Sequence, residues 1–167
     1  MPRHLAFISI GSNMGDRVAN CRGGIEALET LAETRLEGVS RLYETEPVDY
    51  LEQAWFVNAA ARIETGLDPL QLLEALKGIE RAAGKREGGI RFGPRPLDLD
   101  IILFDSVRID TAHLVIPHPR MHQRRFVLRP ICDIDPHVLH PSLKRSARQL
   151  LDDLSDEIGQ EVNGLGK

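Results

Sequence analysis

Cysteine is nearly missing from this sequence. Cys21 and Cys132 are the only two in 167 residues, and neither sits in a metal-ligand spacing. That argues against a disulfide framework and a cysteine-based zinc site, and for a reduced compartment with both thiols as packing residues. Long apolar runs are missing too. The start, Met-Pro-Arg-His, leads into a run of only six residues, Leu5 to Ile10, too short for a membrane span and without a signal-peptide layout. A soluble, cytoplasmic chain with no membrane partner is expected. Aromatics make up only 5%, with no aromatic-rich strand on which RNA bases could stack, and the net charge of −4 opposes binding to a phosphate backbone. No nucleic-acid partner is therefore expected. Repeats and low-complexity segments are absent. With 42% hydrophobic residues the chain can bury one core, so a single domain is expected over residues 1–160, with a loosely ordered tail over 161–167.

What is present is unevenly placed. Residues 85 to 129 hold nine Lys/Arg against five Asp/Glu, so a basic site is set into an acidic protein, which suits a small polyanion such as a nucleoside triphosphate. Within that region Leu97-Asp98-Leu99-Asp100-Ile101 reads as a strand. A period of two sends Asp98 and Asp100 to one face and the apolar residues to the other. Two carboxylates side by side repel unless they are solvated, salt-bridged or bridged by a cation, and hard oxygen donors of this kind suit Mg²⁺. Immediately upstream, residues 84 to 92 combine glycines and cations with little apolar anchoring, as in a mobile basic loop.

Leu5 to Ile10 is apolar enough for a central strand, and Asp16 can cap a helix carrying Val18, Cys21, Ile25, Leu28 and Leu31 on one face, with Gly23 and Gly24 permitting close packing. Leu36 to Tyr43 and Phe56 to Ile63 read as two strands joined by a long loop. Asp68-Pro69-Leu70-Gln71 combines an N-cap, a proline at the first helical position and a capping-box glutamine. That spacing predicts a helix to Gly84 with an apolar stripe of Leu70, Leu73, Leu76, Ile79 and Ala83. The strand with the two aspartates follows. Strand, helix, strand, strand, helix, strand is the split βαβ order of an α+β, ferredoxin-like fold: an antiparallel sheet covered by helices. Short strands at Val107 to Ile109 and Leu114 to Ile116, then helices at Phe126 to Cys132 and Ser146 to Leu154, are expected as additions at the C-terminal end.

A second basic stretch, Pro117-His118-Pro119-Arg120-Met121-His122-Gln123-Arg124-Arg125-Phe126, lacks carboxylates altogether. It reads either as a surface turn or as a second phosphate clamp, with the planar fork of Arg124 and a hydrogen bond from His118. Zinc held by His118, His122, His137 and His140 matches no common spacing.

Taken together, Ile10-Gly11-Ser12-Asn13, Tyr43-Glu44-Thr45 with Pro47, Phe56-Val57-Asn58-Ala59-Ala60, Gly93-Pro94-Arg95 with Leu97 to Ile101, and Pro117-His118-Pro119-Arg120 with Arg124 and Phe126 resemble, in order and over nearly the whole chain, the 6-hydroxymethyl-7,8-dihydropterin pyrophosphokinase family of the folate pathway. The resemblance implies transfer of the β,γ-pyrophosphoryl group of ATP, the co-substrate, to the pterin's hydroxymethyl oxygen, with release of AMP and two Mg²⁺ ions as cofactors. Asp98 and Asp100 resemble the metal ligands. Lys85, Arg95, His118 and Arg124 resemble the catalytic groups that meet phosphate charge, and these four, with Arg91, Phe92, Ile101 and His113, resemble the ATP site. For the pterin, the resemblance implies stacking between Phe56 and Phe126, an edge read by Asn58, and contacts from Thr45, Glu46, Pro47 and Val48. On the residues alone, Phe56 and Phe126 could equally be core. Phe92 stands where Trp is often found, Lys85 where Arg is common, Glu46 where some members have proline, and Phe56 where others have Tyr. The partners implied are small molecules only, and a monomer is expected.

Two other enzymatic readings and one binding reading compete. A nucleotidyltransferase also pairs Gly-Ser with Asp-x-Asp, but there the two elements are near neighbours, unlike Gly11-Ser12 and Asp98. An RNA-binding module lacks its aromatic strand, and a pterin or nucleotide sensor without activity shares the binding residues.

Overall fold

The computed structural model describes residues 3–48, 50–84, 94–154 and 160–165. The first strand, β1 (His4–Ser12), lies between β4 (Phe56–Thr65) and β5 (Asp98–Phe104), antiparallel to both. Its apolar residues Ala6, Ile8 and Ile10 are fully buried on one face, and Phe7 is buried on the other, as a doubly covered central strand requires. Helix α1 (Arg17–Glu29) begins where Asp16 accepts the Ala19 N–H, and α2 (Pro69–Ala82) begins at the Asp68–Gln71 capping box. Both pack on the β1 face that carries Ile8 and Ile10. A Cβ on Gly24 would come within 3.1 Å of Leu97, so α1 lies close over the entry to β5, while Gly23 has open space around it. Cys21 is buried there, its thiol pushed up to about 12 by burial, which fits a packing residue.

The order β5-β1-β4, with β2 (Thr34–Val39) and β3 (Tyr43–Thr45) on the far side of β4, is the ferredoxin-like arrangement. The expected single strand from Leu36 to Tyr43 is two. Ser40 breaks it: its Oγ accepts the Ala60 N–H at 2.8 Å, a ladder position that main chain would otherwise fill, and β3 restarts opposite Asn58. The stripe on α2 is also rotated from expectation. Leu72, Leu76 and Glu80 are its buried residues, and Leu70, in the first turn, is 59% exposed. The small strands fall at β6 (Ile109–Asp110) and β7 (Val115–Ile116). Helices α3 (Arg125–Ile134) and α4 (Ala147–Asp153) cover the opposite face of the sheet, where Phe7, Ile102 and Leu103 meet Val127, Leu128, Ile131 and Leu150.

The segment from 161, expected to be loosely ordered, instead supplies β8 (Val162–Gly164), which pairs with β3. An edge strand exposes a row of unpaired backbone groups, and β8 takes up those of β3.

Candidate functional site

β5 ends the sheet, and its alternation sends Leu97, Leu99 and Ile101 into the core while Asp98 and Asp100 stay half-buried on the other face. Their neighbours across β1 are small: Asp98 lies opposite Gly11 and Asp100 opposite Ser9. This leaves a hollow above the sheet. The outward N–H of Leu99, between the two aspartates, is taken by the buried carboxylate of Glu80 on α2 at 2.7 Å, which fixes this part of the edge strand. Between Phe7 and Ile8 the register with β5 shifts, so that Ile102 is skipped in the pairing, and its carbonyl accepts the His118 N–H at 3.0 Å.

That bond places His118 over the strand. Its Nδ1 accepts the Arg120 N–H at 3.2 Å, so in the neutral ring the proton sits on Nε2. Burial, then Arg124 and Arg120, hold its pKa down to about 4 against the opposing pull of Asp98. The ring is neutral at pH 7. With a folded value near 4 and an unfolded value near 6.5, the unfolded chain binds more protons between those limits, so the stability contribution of His118 is lost as pH falls through that window. NMR of the imidazole nitrogens should find the Nε2–H tautomer still neutral at pH 6. A midpoint at the unfolded value would contradict the geometry.

The hollow is a cavity of about 270 Å³ whose walls come from both ends of the chain. One wall is Thr45, Glu46, Pro47, Val48 and Phe56; the other is His118, Arg124 and Phe126; Asp98, Asp100, Asn58 and Arg95 line the remainder, with Ser9, Gly11, Ile102 and Val127. Phe56 and Phe126 are half-buried and face this space, whereas Phe7 and Phe104 are 2% and 1% exposed in the core. The Arg124 guanidinium stands 5.4 Å over the Phe126 ring. Arg95 is held by its backbone: Asn13 Oδ1 accepts its N–H at 2.7 Å, its carbonyl accepts the Asn13 N–H at 3.0 Å, and Asn13 also donates to Gln53 and Ala54.

The Asn58 amide accepts from the Thr45 hydroxyl at 2.5 Å and donates to the Ile10 carbonyl at 3.3 Å. It lies so close to Gly11 that a Cβ there would meet Asn58 Nδ2 at 2.7 Å. Because Asn58 is tied at both ends it cannot yield cheaply, and Gly11→Ala should cost roughly 1–3 kcal/mol of stability by overpacking. It should also weaken whatever binds over Asn58. Thermal melts and ligand titration check both effects, and wild-type values for both would remove Asn58 from the cavity floor.

A second cavity of about 260 Å³ adjoins the first through Asp100 and His118, which line both. Here lie Ile101 and His113, with Leu73, Leu99, Thr111 and Leu114. Lys85, Arg91 and Phe92 fall outside the described residues. Among the described residues no group of three or more His, Cys, Asp or Glu could hold a metal ion by itself. Two carboxylates and no sulfur or third protein donor suit Mg²⁺, which keeps water and completes its shell with phosphate oxygens. Glu80 and Asn13 were not among the residues expected at the site. A carboxylate in the middle of the α2 stripe was the available signal for the first, and the Gly11-Ser12-Asn13 strand end for the second.

Comparison with known proteins gives one consistent result. A family model described as 7,8-dihydro-6-hydroxymethylpterin-pyrophosphokinase (HPPK) matches residues 7–136. The chain is 45% identical over 131 residues to the 2-amino-4-hydroxy-6-hydroxymethyldihydropteridine pyrophosphokinase of Bacillus subtilis, covering 78% of each protein. With the protein of the same name from Pseudomonas aeruginosa it shares 42% over 135 residues, 81% of this chain and 83% of that one. It is 36% identical to a folic acid synthesis protein of Schizosaccharomyces pombe over 92% of its own length but only 21% of that longer protein. Among solved structures, an HPPK-DHPS protein in complex with substrates superposes with a TM-score of 0.71 at 16% identity, over 90% of this chain and 43% of that one, a likeness of fold.

Proposed function

The chain belongs to the 7,8-dihydro-6-hydroxymethylpterin-pyrophosphokinase family, and from that premise we propose that Asp98 and Asp100 hold Mg²⁺ where a nucleotide in one cavity meets a pterin in the other. The enzyme is an ATP-dependent pyrophosphokinase of folate synthesis. It transfers the pyrophosphoryl group of ATP to 6-hydroxymethyl-7,8-dihydropterin. The hydroxymethyl oxygen bonds to the β-phosphorus, the bond from that phosphorus to the α,β-bridging oxygen breaks, AMP leaves with that oxygen, and the hydroxyl proton passes to solvent or phosphate.

The observation that carries the residue assignment is the sharing of Asp100 and His118 by the two cavities. Bound there, Mg²⁺ neutralises the triphosphate and orients it for in-line attack. The chain's own groups do the rest. Phe56 and Phe126, half-buried on opposite walls, hold the pterin ring between them, and Asn58 with the Thr45 to Val48 segment reads its edge. Ile101 and His113 lie on the nucleotide side. His118, neutral with its proton on Nε2, donates a hydrogen bond to a phosphate oxygen and is not the base that accepts the hydroxyl proton. Arg95 and Arg124 face the charge that develops on the transferred group, and Lys85 joins them from the adjoining loop with Arg91 and Phe92. The proposal includes two metal ions, one domain through residue 160, and a monomer acting in the cytoplasm on small molecules alone. No described helix is long and apolar enough to cross a membrane.

The test is product analysis after incubation with ATP, Mg²⁺ and the pterin. AMP and pterin diphosphate are expected in equal amounts. ADP with a pterin monophosphate, or free pyrophosphate, would overturn the reading.

A further inference from the structure

Helix α3 begins without a cap of its own. Arg124 occupies the N-cap position and makes no side-chain capping bond, although the first N–H groups of a helix need partners. The Arg125 N–H finds one far along the chain, in Gln160 Oε1 at 2.7 Å. Gln160 Nε2 donates to the Gln123 carbonyl at 2.8 Å, and the Gln160 carbonyl accepts from Arg125 Nη1 at 3.1 Å. One side chain thus grips the residues before and after Arg124. The next residue reaches the opposite wall of the cavity. The Glu161 carbonyl accepts the Glu46 N–H at 2.9 Å, Glu46 Oε1 accepts the Glu161 N–H at 3.0 Å, and β8 continues along β3 with Val162 opposite Thr45.

Two walls that no other described strand joins are therefore fastened by consecutive residues. The gap between them is bordered by Val48, Arg120, Gln123, Arg124 and Gln160. We propose that Gln160 is a positioning residue for the pyrophosphokinase reaction: by capping α3 from the C-terminal strand it sets the distance of Phe126 and Arg124 from the Thr45 to Val48 wall, and with it the width of the pterin slot. This rests on the functional reading above. It lies beyond the residues matched by the family model, which end at 136. The slot is a stack of flat surfaces, and an aromatic ring tolerates little change in spacing, so freeing one wall weakens pterin binding more than nucleotide binding.

Steady-state kinetics on the full chain separate this role from general support of the fold. Gln160→Ala is expected to raise the KM for the pterin roughly tenfold and leave the KM for ATP within about twofold. Gln160→Glu keeps an acceptor for the Arg125 N–H, in a carboxylate suited to a helix N-terminus, and should recover most of the loss. Amide exchange should show the first turn of α3 opening faster in the alanine variant at temperatures where the rest of the sheet is unchanged. An unchanged pterin KM, or an equal rise for both substrates, overturns the positioning role while wild-type turnover leaves the pyrophosphokinase reading in place. A wild-type protein without pterin-dependent AMP formation overturns both.

Discussion

Asp98→Ala and Asp100→Ala each reduce turnover by at least roughly a thousandfold and leave the protein folded. The two halves of this expectation have separate causes. Both carboxylates are half-buried on the outer face of the end strand, and the residues that anchor the strand, Leu97, Leu99 and Ile101, point the other way into the core. Removing one of two neighbouring like charges relieves repulsion, so the melting temperature should hold or rise slightly. Activity has no such tolerance, because no other pair of carboxylates lines either cavity among the described residues. The two variants should also differ. Asp100 borders both cavities and Asp98 only the first, so loss of Asp100 should weaken nucleotide binding as well. Melting curves with AMP assays and nucleotide titration check this. Near-normal turnover in either variant would end the metal assignment.

Arg124→Ala should lower kcat about a hundredfold, the usual scale for deleting a donor aimed at developing charge. The guanidinium also lies 5.4 Å over Phe126, and losing that cation–π contact costs about 0.5–1 kcal/mol, or a few-fold in pterin KM. Arg124→Lys keeps the charge without the planar fork or the ring contact and should fall between the two. An independent readout comes from His118, whose pKa is held down first by burial and next by Arg124. In Arg124→Ala it should rise from about 4 toward its ordinary value, with burial still holding it below that value. A large loss of kcat with no movement of the His118 titration would place Arg124 away from the ring.

The elements that could be read from sequence are those whose signals are local. The Asp68 to Gln71 capping box starts α2, and Asp98 with Asp100 share a face because a strand has a period of two. What escaped depends on partners far away in the chain. Ser40 breaks a strand because its hydroxyl meets Ala60, twenty residues on. Leu70 looked like stripe and is exposed because α2 turns Leu72, Leu76 and Glu80 inward, and Glu80 is tolerated there because Leu99 of β5 supplies an N–H. The tail has too few apolar residues to predict order. It is held by main-chain pairing with β3 and by Gln160 on α3, and neither leaves a local pattern. At the site, the structure brings Asp98, Asp100, Arg95, His118, Arg124, Phe56, Asn58 and Phe126 around one cavity, and sets Ile101 and His113 in the next.

The decisive experiment is a crystal structure of the protein with Mg²⁺, a non-hydrolysable ATP analogue and 6-hydroxymethyl-7,8-dihydropterin. The expected complex has the pterin between Phe56 and Phe126, the nucleotide against Ile101 and His113, and metal touching both Asp98 and Asp100 with its remaining contacts to phosphate and water. A pterin bound elsewhere, or phosphates held without metal on either aspartate, would contradict the assignment of this site.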